Sequence, residues 1–227
     1  MNQQDRRRVE PRLRVVSGFQ RELAARYRFA RPYAAGARVL VLGCREGWGL
    51  ATLLETAGEV VALDPLPQAV RRAARRFARP SVRFAVGGPM VEMLAPAAFD
   101  LVTAFSRLDR VDDWPAFLDS VVRVLRPGGR VLLAVANAGW WPGNRLAEAI
   151  PLADPLLALG EFHDLLADRL VIEGLYGQSS AGKVLLTYTA PALPPVPRGT
   201  LDLADRAAAV AGPPRPQSRY FIAVGRR

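Results

Sequence analysis

The chain has 227 residues, half of them hydrophobic and 23% charged, which excludes intrinsic disorder and leaves ample material for one buried core. No apolar run reaches the roughly 18 residues of a membrane helix and the first residues have no signal-like apolar segment, so a cytoplasmic location is the expectation. The net charge of +10 invites a nucleic-acid partner, but Lys183 is the only lysine among 31 basic side chains. That skew points to coding bias and argues against nucleic acid.

Residues 1–14 read as a basic arm, and 19–30 has helical spacing with Phe19, Leu23, Tyr27 and Ala30 on one side. Strands and helices then alternate: strand 38–42, helix 47–57, strand 59–63, helix 68–78, strand 81–86. A loop with Pro89 and Pro96 leads to strand 99–105. Helix 114–125 is entered through Asp113 and Pro115, an N-cap and a first-turn proline. Pro127-Gly128-Gly129 turns the chain into strand 130–136. The pattern breaks at 138–160, where Trp140 and Trp141 stand, and resumes as helix 161–167 and strand 170–177. A Pro-rich stretch then flanks a helix over 200–210, and strand 220–224 closes the chain. The expected organisation is an arm with an N-terminal helix over 1–35 and one domain over 36–227. That domain carries a substrate or lid insertion at about 138–160 and a Pro-rich insertion at about 189–217.

Strands apolar throughout their length, alternating with helices, predict an α/β fold with a parallel sheet covered on both faces. Ligands in such sheets sit at the carboxyl ends of the strands, which gathers Gly43, Asp64, Gly87, Gly88 and Ser106 around one crevice. The glycines after the first strand allow a sharp bend and close approach of backbone to ligand. Asp64, at the tip of the second strand, suits the diol of a ribose, because an ionised acceptor makes the stronger hydrogen bond. With only Cys44 and His163, neither a disulfide nor a Cys/His zinc centre can form within the chain, and no metal is expected.

Three segments carry a family resemblance: 38–47 with Asp64, the run Phe99-Asp100-Leu101-Val102, and Val124-Leu125-Arg126-Pro127-Gly128-Gly129-Arg130. In this order the chain resembles a class I S-adenosylmethionine-dependent methyltransferase, of the small bacterial group often found beside glycan-building enzymes. The resemblance implies a Rossmann-like three-layer sandwich whose sheet is seven-stranded, mostly parallel, with an antiparallel last strand. It implies S-adenosylmethionine as cofactor. Gly43, Cys44, Arg45 and Gly47 would bend around its methionine part, Asp64 with Pro65 would hold the ribose, Gly88 and Pro89 would flank the adenine, and Phe105 and Ser106 would floor the pocket. Asp109 and His163 are the candidates for a base, each with a plain alternative as a loop or helix residue.

The departures from the family pattern concentrate at the ligand. Val41 stands where the first strand usually ends in an acid, Arg45 replaces the middle glycine, and Gly88 replaces an acid after the third strand. Two readings of different class follow. One is methyl transfer to a small-molecule or glycan acceptor, at oxygen; the other is a non-catalytic relative that binds or scaffolds a protein partner. The spacing Gly43-x-x-x-Gly47-x-Gly49 also fits short-chain dehydrogenases. Those need a tyrosine four positions before a lysine, and Ser179 occupies that position before Lys183.

Overall fold

The computed structural model describes residues 18–89, 91–106, 108, 111–137, 156–178, 184–188 and 218–227. The basic arm, Trp140 and Trp141, Asp109, the Pro-rich insertion and the helix expected over 200–210 lie outside the described residues.

Helix α1 (Gly18–Ala30) and a short 3-10 turn (Arg31–Ala34) lead into β1 (Arg38–Leu42). Then follow α2 (Leu50–Leu53), β2 (Glu59–Asp64), α3 (Pro67–Phe77), β3 (Val82–Val86) and β4 (Phe99–Ala104). Helix α4 (Trp114–Val124) runs into β5 (Leu125–Asn137). The remaining elements are β6 (Leu156–Leu157), α5 (Leu159–Ala167), β7 (Val171–Gln178), β8 (Val184–Tyr188) and β9 (Tyr220–Arg226).

The sheet order is β3-β2-β1-β4-β5-β9-β7-β8, with β6 beside β5. Strands β1 to β5 pair in parallel, whereas β9 runs antiparallel between β5 and β7. These are the seven strands expected, and the architecture is Rossmann-like. The hairpin partner β8 and the two-residue β6 are additions that the reading above did not contain. The apolar run Val184-Leu185-Leu186 after Ser179-Ser180-Ala181-Gly182 carried a signal for that hairpin.

Side-chain alternation splits the core in two. Val39, Val41, Leu101 and Leu132 face Leu23, Tyr27, Leu50, Leu53 and Phe77 of α1 to α3. Leu40, Leu42, Val102 and Leu133 face Phe117 and Leu118 of α4 and Phe162 and Leu166 of α5. Helix α3 shows the reason for its placement in its spacing: Ala69, Val70, Ala73 and Phe77 are buried, while Arg71, Arg72, Arg75 and Arg76 face water. Helix α4 starts as expected, with the Asp113 carboxylate accepting from the Ala116 N–H at 2.9 Å.

The helix expected over 47–57 is regular only from Leu50 to Leu53. Gly47 has φ +80 and breaks the helix from below. Above it the chain closes with the tighter Thr56 N–H to Leu53 O bond at 3.1 Å. Two glycines in three residues weaken helix propensity by about 1 kcal/mol each, so packing rather than propensity sets this segment.

Candidate functional site

Parallel register sets Leu42 opposite both Leu63 and Ala104, and Asp64 opposite Val86. The residues that leave these strands therefore emerge side by side at one sheet edge: Gly43 to Gly47, Pro65, Gly87 to Pro89, and Phe105 with Ser106. Cross-links hold the edge together. The Ser106 hydroxyl donates to Gly43 O at 2.8 Å, the Cys44 N–H to Leu63 O at 2.9 Å, and the Gly87 N–H to Asp64 O at 3.1 Å.

The loop after β1 turns through three left-handed residues, Gly43 (φ 71), Arg45 (φ 50) and Gly47 (φ 80). Arg45 has no β-carbon freedom to spare there; the left-handed conformation costs a side chain roughly 1–2 kcal/mol. What that geometry achieves is visible at Asp64. The Arg45 N–H donates to Asp64 Oδ2 at 2.8 Å, and the Leu66 N–H to Oδ1 at 2.9 Å. Asp64 is fully buried, so two charge-assisted bonds fix its carboxylate where loop and strand meet.

Each glycine of the edge has its own reason. A β-carbon on Gly47 would lie 2.6 Å from the Phe77 ring, so packing demands glycine there as much as the turn does. A β-carbon on Gly88 would meet no atom within 4 Å, which leaves open space beside Asp64's neighbour strand. Pro65 and Pro89 are half-buried, and Phe105 and Ser106 are buried at the end of β4. Glu46 turns outward to pair with Arg72.

Cys44 is buried beneath the loop. Burial, and then the negative charge of Asp64, push its thiol up to about 12. Native protein at pH 8 should therefore react with a thiolate-specific reagent at least about a thousandfold more slowly than urea-unfolded protein, since its thiolate fraction is roughly 10⁻⁴. Stoichiometric labelling of the folded chain within minutes would contradict this burial.

His163 stands on α5, on the sheet face opposite α1, with its ring partly exposed and Nδ1 bonded to Asp164 Oδ1 at 2.9 Å. The structure does not gather it with the loop residues. Among the described residues, no group of three or more His, Cys, Asp and Glu side chains is arranged to hold a metal ion, and no helix is long and apolar enough to cross a membrane.

Helix α1 brings Tyr27, Arg26 and Glu22 to the same sheet edge. Tyr27 packs its ring edge-on to Phe105, with centroids 5.2 Å apart, and lies directly over Gly49. Arg26 is fully buried; its Nε donates to Gln178 Oε1 and its Nη1 to Phe105 O, each at 2.8 Å. Its guanidinium carbon sits 3.8 Å from the centroid of the Tyr220 ring. Glu22, 1% exposed, accepts from Arg219 Nη1 at 2.9 Å. Burial raises the Glu22 carboxyl above its usual range, opposed by the charges of Arg219 and Arg26. The charged pair at 22 and 26, one turn apart, reads locally as a solvated face, so its burial carried no local signal.

A family model described as a methyltransferase domain matches residues 40–133. A ubiquinone biosynthesis O-methyltransferase of Xanthomonas oryzae pv. oryzae is 34% identical over 114 residues, 49% of this chain and 48% of that protein. A probable S-adenosylmethionine-dependent methyltransferase of Mycolicibacterium smegmatis is 34% identical over 104 residues, 45% of this chain and 39% of that protein. The chain thus spans about half the length of the curated relatives it matches. Among solved structures, an S-adenosylmethionine-dependent methyltransferase from Mesorhizobium loti superposes with a TM-score of 0.65 at 18% identity, covering 89% of this chain and 96% of that one. The N-methyltransferase NodS from Bradyrhizobium japonicum, in complex with S-adenosyl-L-homocysteine, gives 0.60 at 17% identity, covering 98% and 90%. At these identities the structural likeness establishes the fold.

Proposed function

We propose that this chain, whose residues 40–133 match a methyltransferase domain model, is a class I methyltransferase that transfers a methyl group from S-adenosylmethionine to a hydroxyl of a small-molecule or glycan acceptor. The observation that carries the reading is the Asp64 carboxylate, fixed by two backbone donors at the tip of β2 beside a left-handed loop. In this reading Asp64 and Pro65 hold the ribose, and Gly43, Cys44, Arg45 and Gly47 wrap the methionine part. Gly88 and Pro89 flank the adenine, and Phe105 with Ser106 forms the floor. The bound donor would supply an already electrophilic methyl group, so the protein's task is positioning and the exclusion of water. The choice of oxygen rests on the similarity to the Xanthomonas O-methyltransferase.

Calorimetric titration with S-adenosyl-L-homocysteine tests this directly. Saturable binding at micromolar to millimolar ligand is expected. The absence of any heat at millimolar ligand would instead favour the non-catalytic reading, in which a protein partner is what the fold serves.

A further inference from the structure

Glu22 and Arg26 present an arrangement that the donor crevice does not use. Each places a polar atom in the interior without a hydrogen-bond partner: Glu22 Oε2 and Arg26 Nη2. The residues are 1% and 0% exposed. Buried polar atoms of native proteins are nearly always bonded, and a charged group left short is the costlier exception. Here there are two, of opposite sign, one helical turn apart on α1.

Their surroundings locate them. Arg26 Nη1 bonds to the carbonyl of Phe105, the residue that leaves β4 at the crevice. Its Nε and the Glu22 backbone carbonyl share the Gln178 side chain, where β7 ends. The Glu22 carboxylate is tied to Arg219, just before β9. Tyr220 lies under the guanidinium. The pair therefore sits at the carboxyl edge of the sheet, next to the donor crevice and displaced from it toward β7 and β9.

A group that satisfies both atoms must accept one hydrogen bond and donate another. Water does this, and so does a hydroxyl; a carboxylate, an ether or an ammonium does not. Resting on the methyl-transfer reading above, we propose that Glu22 and Arg26 grip the acceptor's hydroxyl, with Arg26 Nη2 donating to its oxygen and Glu22 Oε2 accepting its proton's hydrogen bond. The Tyr220 ring supplies an aromatic wall against the Arg26 guanidinium. The assignment takes the role of proton acceptor from Asp109 and His163 and gives it to a carboxylate on α1. Both atoms are sealed in this conformation, so binding of an acceptor there requires local opening.

Phenol and anisole form the test pair, since they share a ring and differ in the hydroxyl proton. Titration of the full chain, followed by calorimetry and by side-chain resonances of ¹⁵N-arginine, should show phenol binding at least tenfold tighter than anisole. The Arg26 resonance, identified by its loss in Arg26→Lys, should shift with phenol alone. Glu22→Gln should abolish the preference while leaving S-adenosyl-L-homocysteine binding in place. Equal affinity for the two probes on the wild-type chain, or no binding of phenol at tens of millimolar, overturns the assignment without any variant. A chain that binds the homocysteine product but fails to distinguish the probes loses this proposal alone. One that distinguishes the probes but binds no product loses the methyl-transfer reading instead.

Discussion

Asp64→Asn is expected to produce the largest functional loss of any single substitution at the crevice. The side chain keeps its shape, but one carboxylate oxygen becomes an NH2 group. Arg45 N–H and Leu66 N–H approach different oxygens, so one of them then faces a donor. A buried donor without an acceptor, together with the loss of a charge-assisted bond, costs about 2–4 kcal/mol. At roughly 2–4 °C per kcal/mol for a domain of this size, the melting temperature should fall on the order of 10 °C. Affinity for S-adenosyl-L-homocysteine should fall about a hundredfold or more, because each ionic hydrogen bond to a ribose hydroxyl is worth about 1.5–3 kcal/mol. Arg45→Gly separates the two effects. It retains the backbone N–H that Asp64 uses and removes the left-handed penalty, so it should melt closer to wild type than Asp64→Asn does. Thermal melting and product titration of the two variants side by side give the answer; an Asp64→Asn protein that binds product normally removes the ribose role.

Gly49→Ala is expected to be the most damaging change outside the loop itself. Its β-carbon would be built 1.8 Å from Cδ2 and 2.2 Å from Cγ of Tyr27. Those atoms are near the root of a ring that is 2% exposed and packed against Phe105, so rotation of a flexible tip cannot relieve the overlap. Either α1 shifts or the start of α2 does. Overpacking of this kind costs about 3 kcal/mol or more, corresponding to roughly 6–12 °C in melting temperature. Because Tyr27 and Arg26 are neighbours, the shift should also break the Arg26 bond to Phe105 O. Hydrogen exchange along α1 should then accelerate in the variant. Unchanged melting and unchanged protection of α1 would show that Tyr27 is not seated over Gly49.

Much of the fold was legible because its signals are local. The five parallel strands announced themselves as apolar runs, the entry to α4 as Asp113 followed by Pro115, and the exposed face of α3 as arginines at helical spacing. Gly43 and Asp64 were recognisable as parts of one site because strand ends in a parallel sheet converge by topology, whatever their separation in sequence. Where local propensity misled, tertiary contact had the stronger vote. The 47–57 segment reads as helix, yet Gly47 is pinned against Phe77 and Gly49 lies beneath Tyr27, and only four residues remain regular.

The replacement of the middle loop glycine by Arg45 illustrates the boundary. From sequence, an arginine there either obstructs the ligand or binds it, because attention falls on the side chain. In the folded chain the backbone matters first: φ 50 aims the Arg45 N–H at Asp64, as a glycine would. Glu46, adjacent to it and acidic, is drawn to Arg72 on α3, a partner 26 positions away.

By itself the sequence determined the α/β class, the parallel strands along the chain and the sheet edge at which their loops emerge, since hydrophobic period and turn composition act over a few residues. Only the tertiary structure decided which charges are inside. Arg26 meets Gln178 across 152 positions and Glu22 meets Arg219 across 197. No local pattern distinguishes such a helical pair from two solvated side chains, because the free energy of burying a charge is set by the partners that distant segments bring to it.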